Sequence, residues 1–238
     1  VPERDRARRP LEAALVLRDL GRRAEPGEEG VALLVIHADD LPRFPNLRDT
    51  MYADRARQFR DRLGWEVAVD ADGWERDEYD ALNPLYVIWE RPDGTHGGSM
   101  RFLPTTGRTM VNEHFARLTP SGRVSSPAIW ECTRFCLSPD AEPRVSALLM
   151  LGGAELGLGL ALSQAVGVFD ARMVRIYRLL GWPPEIVGKE GQGRDAIGLG
   201  LWDFSEAVRL RLADRAGLSA EVSRLWFDRA IERRKVAA

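Results

Sequence analysis

Two apolar segments joined by a tight turn occupy residues 85–104, which read LYVIWERPDGTHGGSMRFLP. The first run covers 85–90, and the second covers 97–103 and ends before Pro104. The tetrapeptide RPDG at 91–94 is a strong hairpin signal, because proline and glycine supply the backbone angles that a tight turn requires. The stretch therefore predicts two antiparallel strands.

Further strand and helix patterns surround this hairpin. Continuous apolar runs predict other strands at 31–36, 128–137, 166–169 and 197–202. Apolar residues at helical spacing predict helices at 46–63, 144–164, 171–180, 204–215 and 219–235. Asn46 and Asp203 are the expected N-caps of the first and fourth helices. Helices interleaved with strands indicate one mixed α/β domain built from packed layers.

The composition argues against several classes of partner. The chain has 238 residues and a net charge of -2, so it has no overall attraction for nucleic acid or an acidic membrane surface. We find no signal-peptide pattern and no uncharged window of membrane-spanning length. The two cysteines are not spaced as a disulfide framework and suggest a reducing compartment. A cytoplasmic protein is therefore expected.

Residues 1–30 and 31–238 differ in character. Arg-rich and Glu/Gly-rich segments surround a short helical pattern within 1–30, which predicts a mobile or loosely packed N-terminal extension. The folded domain is expected to cover 31–238. Its three histidines are scattered without ligand spacing, so no metal site is expected.

A spaced series of charged and aromatic residues is the main functional signal. Its members are Arg55, Phe59, Arg62, Trp65, Glu75, Asp77, Asp80, Arg101, Glu131 and Arg134. The last three lie inside apolar, strand-like runs, and charges are seldom fully buried unless they are paired. The series therefore predicts a pocket for a ligand that itself carries both signs of charge.

Three other patterns have more ordinary interpretations. The string GQGRDA at 191–196 matches G-x-G-x-x-A, but it lacks the preceding strand of a dinucleotide site. Cys132 and Cys136 are typical of buried, inert thiols. The arginines at 172, 175 and 178 form a basic stripe on one predicted helix, which is either a solvated face or a docking surface for an acidic partner.

Four ordered motifs carry a family resemblance. RARQF at 55–59 leads into LGW at 63–65, and ERDEYD follows at 75–80. GSMRFLPTT occupies 98–106, and WECTRF occupies 130–135. Together these motifs resemble the LuxI-type acyl-homoserine-lactone synthases, which make the autoinducers of bacterial quorum sensing. Phe102 departs mildly from the leucine that is common in the family.

The resemblance implies a fold and a reaction. The fold is expected to be a single-domain three-layer sandwich with a central mixed sheet, similar to the acetyltransferase (GNAT-like) fold. The reaction would transfer an acyl group from a thioester, on acyl carrier protein or coenzyme A, to the amine of S-adenosylmethionine. Lactonisation would then release methylthioadenosine. S-adenosylmethionine is thus implied as a substrate, and no true cofactor is expected.

The resemblance also implies residue roles. Glu131 is expected to be the general base, either directly or through a water, with Arg101, Arg134 and Asp77 as further catalytic residues. The residues expected to bind S-adenosylmethionine are Arg55, Phe59, Arg62, Trp65, Asp77, Asp80, Arg101 and Arg134. The apolar residues that could line the acyl pocket are Met100, Phe102, Trp130, Met150, Leu151 and Val168, although each taken singly is more typical of an ordinary core. The expected contacts for the carrier are Arg172, Arg175, Arg178 and Lys189, and the oxyanion is assigned to backbone N–H groups within 101–103.

Two alternatives stay open at this point. One is a GNAT-like acyltransferase that uses acyl-CoA on another amine, although the pyrophosphate loop [QR]-x-x-G-x-[GA] of that class is not evident. The other is a non-catalytic homologue that binds ligand without turnover, although every charge of the series is present.

Overall fold

A seven-stranded sheet forms the centre of the structure, a computed structural model that describes residues 32–193, 196–224 and 227. The strand order is β1-β2-β3-β4-β5-β7-β6. The strands are β1 (Ala32–His37), β2 (Leu85–Glu90), β3 (His96–Pro104), β4 (Ile129–Leu137), β5 (Gln164–Asp170), β6 (Glu185–Glu190) and β7 (Ile197–Asp203). The expected extension 1–30 and most of the predicted helix 219–235 lie outside the described residues.

Helices cover both faces of this sheet and complete the three layers. They are α1 (Pro45–Ala56), α2 (Met110–His114), α3 (Val145–Gly159), α4 (Met173–Leu180) and α5 (Glu206–Ala216). Leu34 and Ile36 of β1 pack with α1, whereas Leu33 and Val35 pack in the core formed with α3. This alternation is the period of two that a strand imposes on its side chains. The predicted mixed α/β sandwich is confirmed.

The sheet opens between its two central parallel strands. All neighbouring strands pair antiparallel except β4 and β5, which are parallel. Their pairing covers only Ile129–Glu131 with 164–166, although the strands continue to Leu137 and Asp170. The two strands therefore diverge after Glu131, and the edge of β4 that faces β5 is unpaired from that point among the described residues.

A bulge in β4 places two adjacent side chains on one face. The pairing of β3 with β4 shifts register between Ser99 and Arg101, and Arg134 has a φ of 54°. In a regular strand Thr133 and Arg134 would point to opposite faces. Here both bond to groups on the α1 face of the sheet, because the left-handed residue turns the strand locally. The arrangement of the charged site depends on this local strain.

Several predicted boundaries are wrong for identifiable reasons. Helix α1 begins at Pro45 with Phe44 as its N-cap, so Asn46 is not the cap, because proline at the first position sets the helical φ. The same helix continues as a π-helical turn over Arg57–Arg62. Ser205, not Asp203, caps α5 by accepting the N–H of Val208.

Two further differences arise from misleading hydrophobicity patterns. The predicted helix 144–164 ends at Gly159, and Gln164 already belongs to β5, because one apolar run continues through both elements. Ala161 between them has a φ of 53°, which is incompatible with helix. Strand β6 was not predicted, since its exposed Glu185 and Glu190 give the segment no apolar run.

Within the residues that the structure describes, none of the helices combines the length and the apolar content needed to cross a membrane.

Candidate active site

Six charged groups, three buried and three partly buried, meet on the α1 face of the sheet, and we call them the charge cluster. The members are Arg55, Glu75, Asp77, Asp80, Arg101 and Arg134. The arginines project from α1, β3 and β4, whereas the carboxylates lie in the loop between α1 and β2. Three positive and three negative groups balance, which removes most of the cost of burying them.

Arg55 fastens this loop to α1. Its Nε donates to Glu75 Oε2 at 2.6 Å, and its two terminal nitrogens donate to the two carboxylate oxygens of Asp80 at 3.0 and 2.9 Å. The side chain is fully buried. Such a bidentate pair fixes both direction and distance. Arg55 therefore sets the position of the acidic loop against the sheet.

Arg101 and Arg134 complete the network from the strands. The terminal nitrogens of Arg101 donate to Asp77 at 2.5 and 2.9 Å and to Asp80 at 2.8 Å, while its Nε donates to Thr133 Oγ1 at 3.0 Å. Arg134 lies 2.8 Å from both Glu75 and Asp77. Every carboxylate of the cluster thus contacts two arginines.

Asp80 stays ionised because two arginines of the cluster match its charge. Burial alone would raise the pKa of Asp80, but Arg55 and Arg101 outweigh burial and hold that pKa well below its usual range. Tyr86 reinforces this by donating its hydroxyl to Asp80. The guanidinium groups of Arg55 and Arg101 are already occupied by protein carboxylates. A ligand carboxylate would have to displace one of these to reach either arginine.

An aromatic pair covers one side of the cluster. Phe59 and Trp65 stack with ring centroids 5.2 Å apart, and the Arg134 guanidinium carbon lies 5.2 Å from the Phe59 ring. Phe59 is buried, whereas Trp65 is 40% exposed and presents ring surface to solvent. Arg62 lies apart from this arrangement: it is exposed and donates to Gln58.

An open cleft of about 450 Å³ borders the acidic loop. Asp77 and Asp80 line it together with Tyr52, Trp74 and Arg76. None of these last three residues is among the predicted site residues. The available signal was Trp74 directly before the acidic motif, and one aromatic residue in such a place is too common to be specific.

Glu131 joins the charge cluster to the opening between β4 and β5. Its side chain is buried, and it accepts the N–H groups of Val111 at 2.6 Å and Met110 at 3.1 Å. Burial raises the pKa of Glu131 to about 6, against the opposing effect of these two donors and of Arg101. A carboxyl group with this pKa exchanges protons readily near neutral pH.

Backbone donors for an oxyanion cannot come from 101–103, contrary to the expectation from sequence. These residues lie in β3, which pairs with β2 on one side and β4 on the other. Their N–H groups are therefore directed into hydrogen-bonded ladders. Among the described residues, β4 has an unpaired edge beyond Glu131, where its pairing with β5 has ended.

Comparison with known proteins gives this geometry a context. The family model described as "Autoinducer synthase" matches residues 43–212. An acyl-homoserine-lactone synthase from Rhizobium etli is 44% identical over 180 residues, which cover 73% of this chain and 84% of that protein.

The chain belongs to the autoinducer synthase family.

A second relative and two solved structures agree with this assignment. The acyl-homoserine-lactone synthase of Agrobacterium fabrum is 30% identical over 66% of this chain and 78% of that protein. The CoA-dependent synthase BjaI, solved with SAM and isopentyl-CoA, shares 23% identity and a TM-score of 0.70 over 79% of this chain and 90% of that one. The synthase LasI shares 23% identity and a TM-score of 0.67 over 78% and 96%. The two structures show that this autoinducer synthase has the same fold.

The residues predicted to line an acyl pocket are not all together in this synthase. Five of them belong to the core cluster between the sheet and α3: Met100, Phe102, Trp130, Met150 and Leu151. Val168 lies on the opposite face, packed with Val111 and Leu199. Side chains of β5 alternate between faces, and the sequence could not show to which face position 168 belongs.

The basic stripe of the synthase is exposed, as a docking surface would be. Its members Arg172, Arg175 and Arg178 project from α4 or its first turn, and Lys189 lies on the edge strand β6. Arg172 is paired with Asp170 at 2.9 Å. In the part of the chain that the structure describes, no ion pair engages Arg175 or Arg178.

One group of metal-binding residue types occurs within the described part of the synthase. It comprises the exposed side chains of Glu78, Glu113 and His114. Glu113 is already engaged by two nitrogens of Arg108 at 2.7 and 2.9 Å and by the Tyr79 hydroxyl at 2.8 Å. These contacts explain its position without a metal.

Proposed function

We propose that this chain synthesises an N-acyl-L-homoserine lactone from an acyl thioester and S-adenosylmethionine. Family membership supports the reaction, and one observation in the structure carries its assignment to a site. Glu131, with a pKa of about 6, lies between the charge cluster and the point where β4 and β5 part. A base in this position can act on an amine held beside the cluster while a thioester enters between the strands.

The cluster and its aromatic cover fit the charges of S-adenosylmethionine. That substrate carries an ammonium, a carboxylate and a sulfonium. Arg134 retains about 10% exposure, whereas Arg55 and Arg101 are fully buried, so Arg134 is the cluster guanidinium that a ligand carboxylate can approach. The exposed face of Trp65 suits the adenine or the sulfonium, through stacking or cation–π attraction.

The chemical steps follow from this placement. Glu131 takes a proton from the ammonium, and the free amine attacks the thioester carbonyl carbon. The N–C bond forms, the C–S bond breaks, and the departing thiolate takes up a proton. The N–H groups on the unpaired edge of β4 stabilise the intermediate oxyanion. The substrate carboxylate then attacks the carbon bonded to the sulfonium, which closes the lactone and releases methylthioadenosine.

The rate of acyl transfer is expected to rise with pH through about 6. Glu131 must be deprotonated to accept a proton, and burial places its pKa at about 6. The pH range over which the rate rises, the acidic limb of the profile, should therefore lie higher than it would for an ordinary glutamate, whose pKa is about 4.3. The measurement is kcat against pH with saturating substrates. A rate that stays constant between pH 5 and 7 would show that Glu131 is not the base.

The acyl donor is proposed to be a carrier protein, with coenzyme A as the alternative. The basic stripe on α4 suits the acidic surface of a carrier. Changing Arg175 and Arg178 to glutamate is expected to raise the KM for acyl carrier protein about tenfold or more, because two attractive charges become repulsive. The KM for acyl-CoA should not change.

Arg43 offers a matched control for this charge reversal. It is an exposed arginine next to α1, on the opposite side of the sheet from α4. Arg43→Glu should leave both KM values unchanged. Equal losses with carrier and coenzyme A donors in the Arg175 and Arg178 variant would contradict docking at the stripe.

Product identification tests the proposed function itself. Extracts of cells that express the chain should contain an acyl-homoserine lactone detectable by mass spectrometry, and extracts of cells that express Glu131→Gln should contain far less of it. An acylated amine other than a homoserine lactone would indicate a different acyltransferase.

A further inference from the structure

A buried hydroxyl group next to the Glu131 site has no partner within the described residues. Thr109 is completely buried, and its Oγ1 makes no hydrogen bond there. Only one other buried side-chain polar atom in the described part of the chain, His37 Nε2, shares this property. Burying an unpaired hydroxyl costs free energy, so native proteins retain few of them. The Thr109 hydroxyl therefore calls for an explanation.

The local structure explains how this hydroxyl came to be unpaired. Thr109 is the N-cap of α2 and has the extended backbone of a cap, with φ -146° and ψ 150°. A threonine here ordinarily accepts the N–H two or three positions later. Glu131 instead accepts the N–H groups of Met110 and Val111. The Glu131 carboxylate therefore caps α2, and the Thr109 hydroxyl is available to bond to a group other than the helix N-terminus.

The carboxylate of Glu131 has acceptor capacity left at the same place. Each carboxylate oxygen has two lone-pair directions, and the two backbone donors use one on each oxygen. Thr109 directly precedes those donors in the chain, so its hydroxyl belongs to the same turn of the chain as the N–H groups that bond to the carboxylate. A bound water needs two to four polar partners, which these groups and a substrate ammonium would supply.

We propose that Thr109 is a positioning residue that holds, together with Glu131, the water through which the substrate ammonium loses its proton. The inference rests on the proposed function. The ammonium gives one proton to the water, and the water gives one proton to the Glu131 carboxylate. The nitrogen keeps the electron pair with which it attacks the thioester. The Thr109 hydroxyl exchanges no proton and only fixes the oxygen of the water.

The test is the substitution Thr109→Val, which keeps the shape of the side chain and suits the extended backbone. We expect kcat to fall about tenfold, since one hydrogen bond that orients the proton carrier is lost. The KM for each substrate should stay within about twofold, because the hydroxyl binds neither substrate directly. The acidic limb of the kcat–pH profile should move to higher pH, since the ordered water no longer stabilises the ionised carboxylate. Thr109→Ser should restore most of the rate.

Thermal stability separates this role from a structural one. Thr109→Val should not lower Tm, because the hydroxyl has no partner to lose among the residues that the structure describes. Thr105 is the matched control in the same loop: its hydroxyl donates to the Ile129 carbonyl at 2.7 Å and accepts the Ser126 N–H at 3.0 Å. Thr105→Val should lower Tm.

Two outcomes would overturn the inference. One is a Thr109→Val protein with the wild-type kcat and pH profile. The other is equal impairment of Thr109→Val and Thr109→Ser with a lowered Tm, which would assign the residue to folding. Failure of the proposed function is distinguishable, because the wild-type protein itself would then release no methylthioadenosine.

Discussion

Replacing Glu131 with glutamine is expected to lower kcat for lactone formation by at least about a hundredfold, the usual contribution of a positioned general base. Glutamine has nearly the same shape but cannot accept a proton at neutral pH. The residual rate should also lose its dependence on pH near 6, because the group responsible for that limb is gone. The release of methylthioadenosine and the lactone are measured together.

The structure dictates which control this variant needs. The Glu131 carboxylate accepts two backbone N–H groups, from Met110 and Val111. A glutamine can accept only one of them and turns its amide donor toward the other, so some stability will be lost. Tm and circular dichroism must therefore accompany the kinetics. Glu190→Gln, at an exposed position paired with Arg117, is the matched control and should keep full activity. A folded Glu131→Gln enzyme with the wild-type rate would contradict the assignment.

Replacing Arg101 with methionine is expected to lower the free energy of unfolding by about 3–5 kcal/mol. The change leaves Asp77 and Asp80 buried with fewer counter-charges, while methionine still fills most of the space. Urea unfolding at pH 7 measures the loss. The deficit should shrink as the pH falls, because Asp80, whose pKa Arg101 helps to hold down, then binds a proton more readily than it does in the wild-type protein.

Arg108 provides the comparison for Arg101. It makes two hydrogen bonds to Glu113, like a cluster arginine, but its side chain is 53% exposed. Solvent screens such a pair, so Arg108→Met should cost at most about 1 kcal/mol. If both variants lose the same amount, the cluster does not organise the fold as described here.

The sequence predicted the buried polar site where a charged residue interrupts an apolar, strand-like run. Arg101, Glu131 and Arg134 stand in apolar runs, and this conflict alone indicated that they share a buried polar site. The structure brings Arg101 and Arg134 into one network and places Glu131 beside it. The hairpin at 85–104 was equally readable, because its turn chemistry and both apolar runs agree.

Sequence reasoning failed where the outcome depends on distant contacts. An arginine at position 134 does not predict a left-handed backbone. The β4 bulge at this residue nevertheless brings the side chains of Thr133 and Arg134 to one face of the sheet. The polar edge strand β6 lacks the apolar run that identifies a strand. The bonds from Met110 and Val111 to Glu131 join residues about twenty positions apart, and no spacing rule predicts them.

The balance of the charge cluster suggests why so many charges are retained. Three arginines bond one acidic loop to α1, β3 and β4, and each of these hydrogen-bonded ion pairs is directional. Such a network holds its groups in place before the substrate arrives, which reduces the reorganisation needed during reaction. Under the proposed function, catalysis is then left to the less buried Arg134 and to Glu131, the residue at which the pairing of β4 with β5 ends.

The most direct test is a complete product balance with the purified protein, S-adenosylmethionine and an acyl thioester. The acyl-homoserine lactone, methylthioadenosine and free thiol are quantified in one sample. Mass spectrometry measures the first two, and a thiol reagent measures the third. The account predicts that all three appear in equal amounts and that none forms when either substrate is omitted. Thiol release with an acylated product but no methylthioadenosine, or no turnover of either substrate, would contradict it.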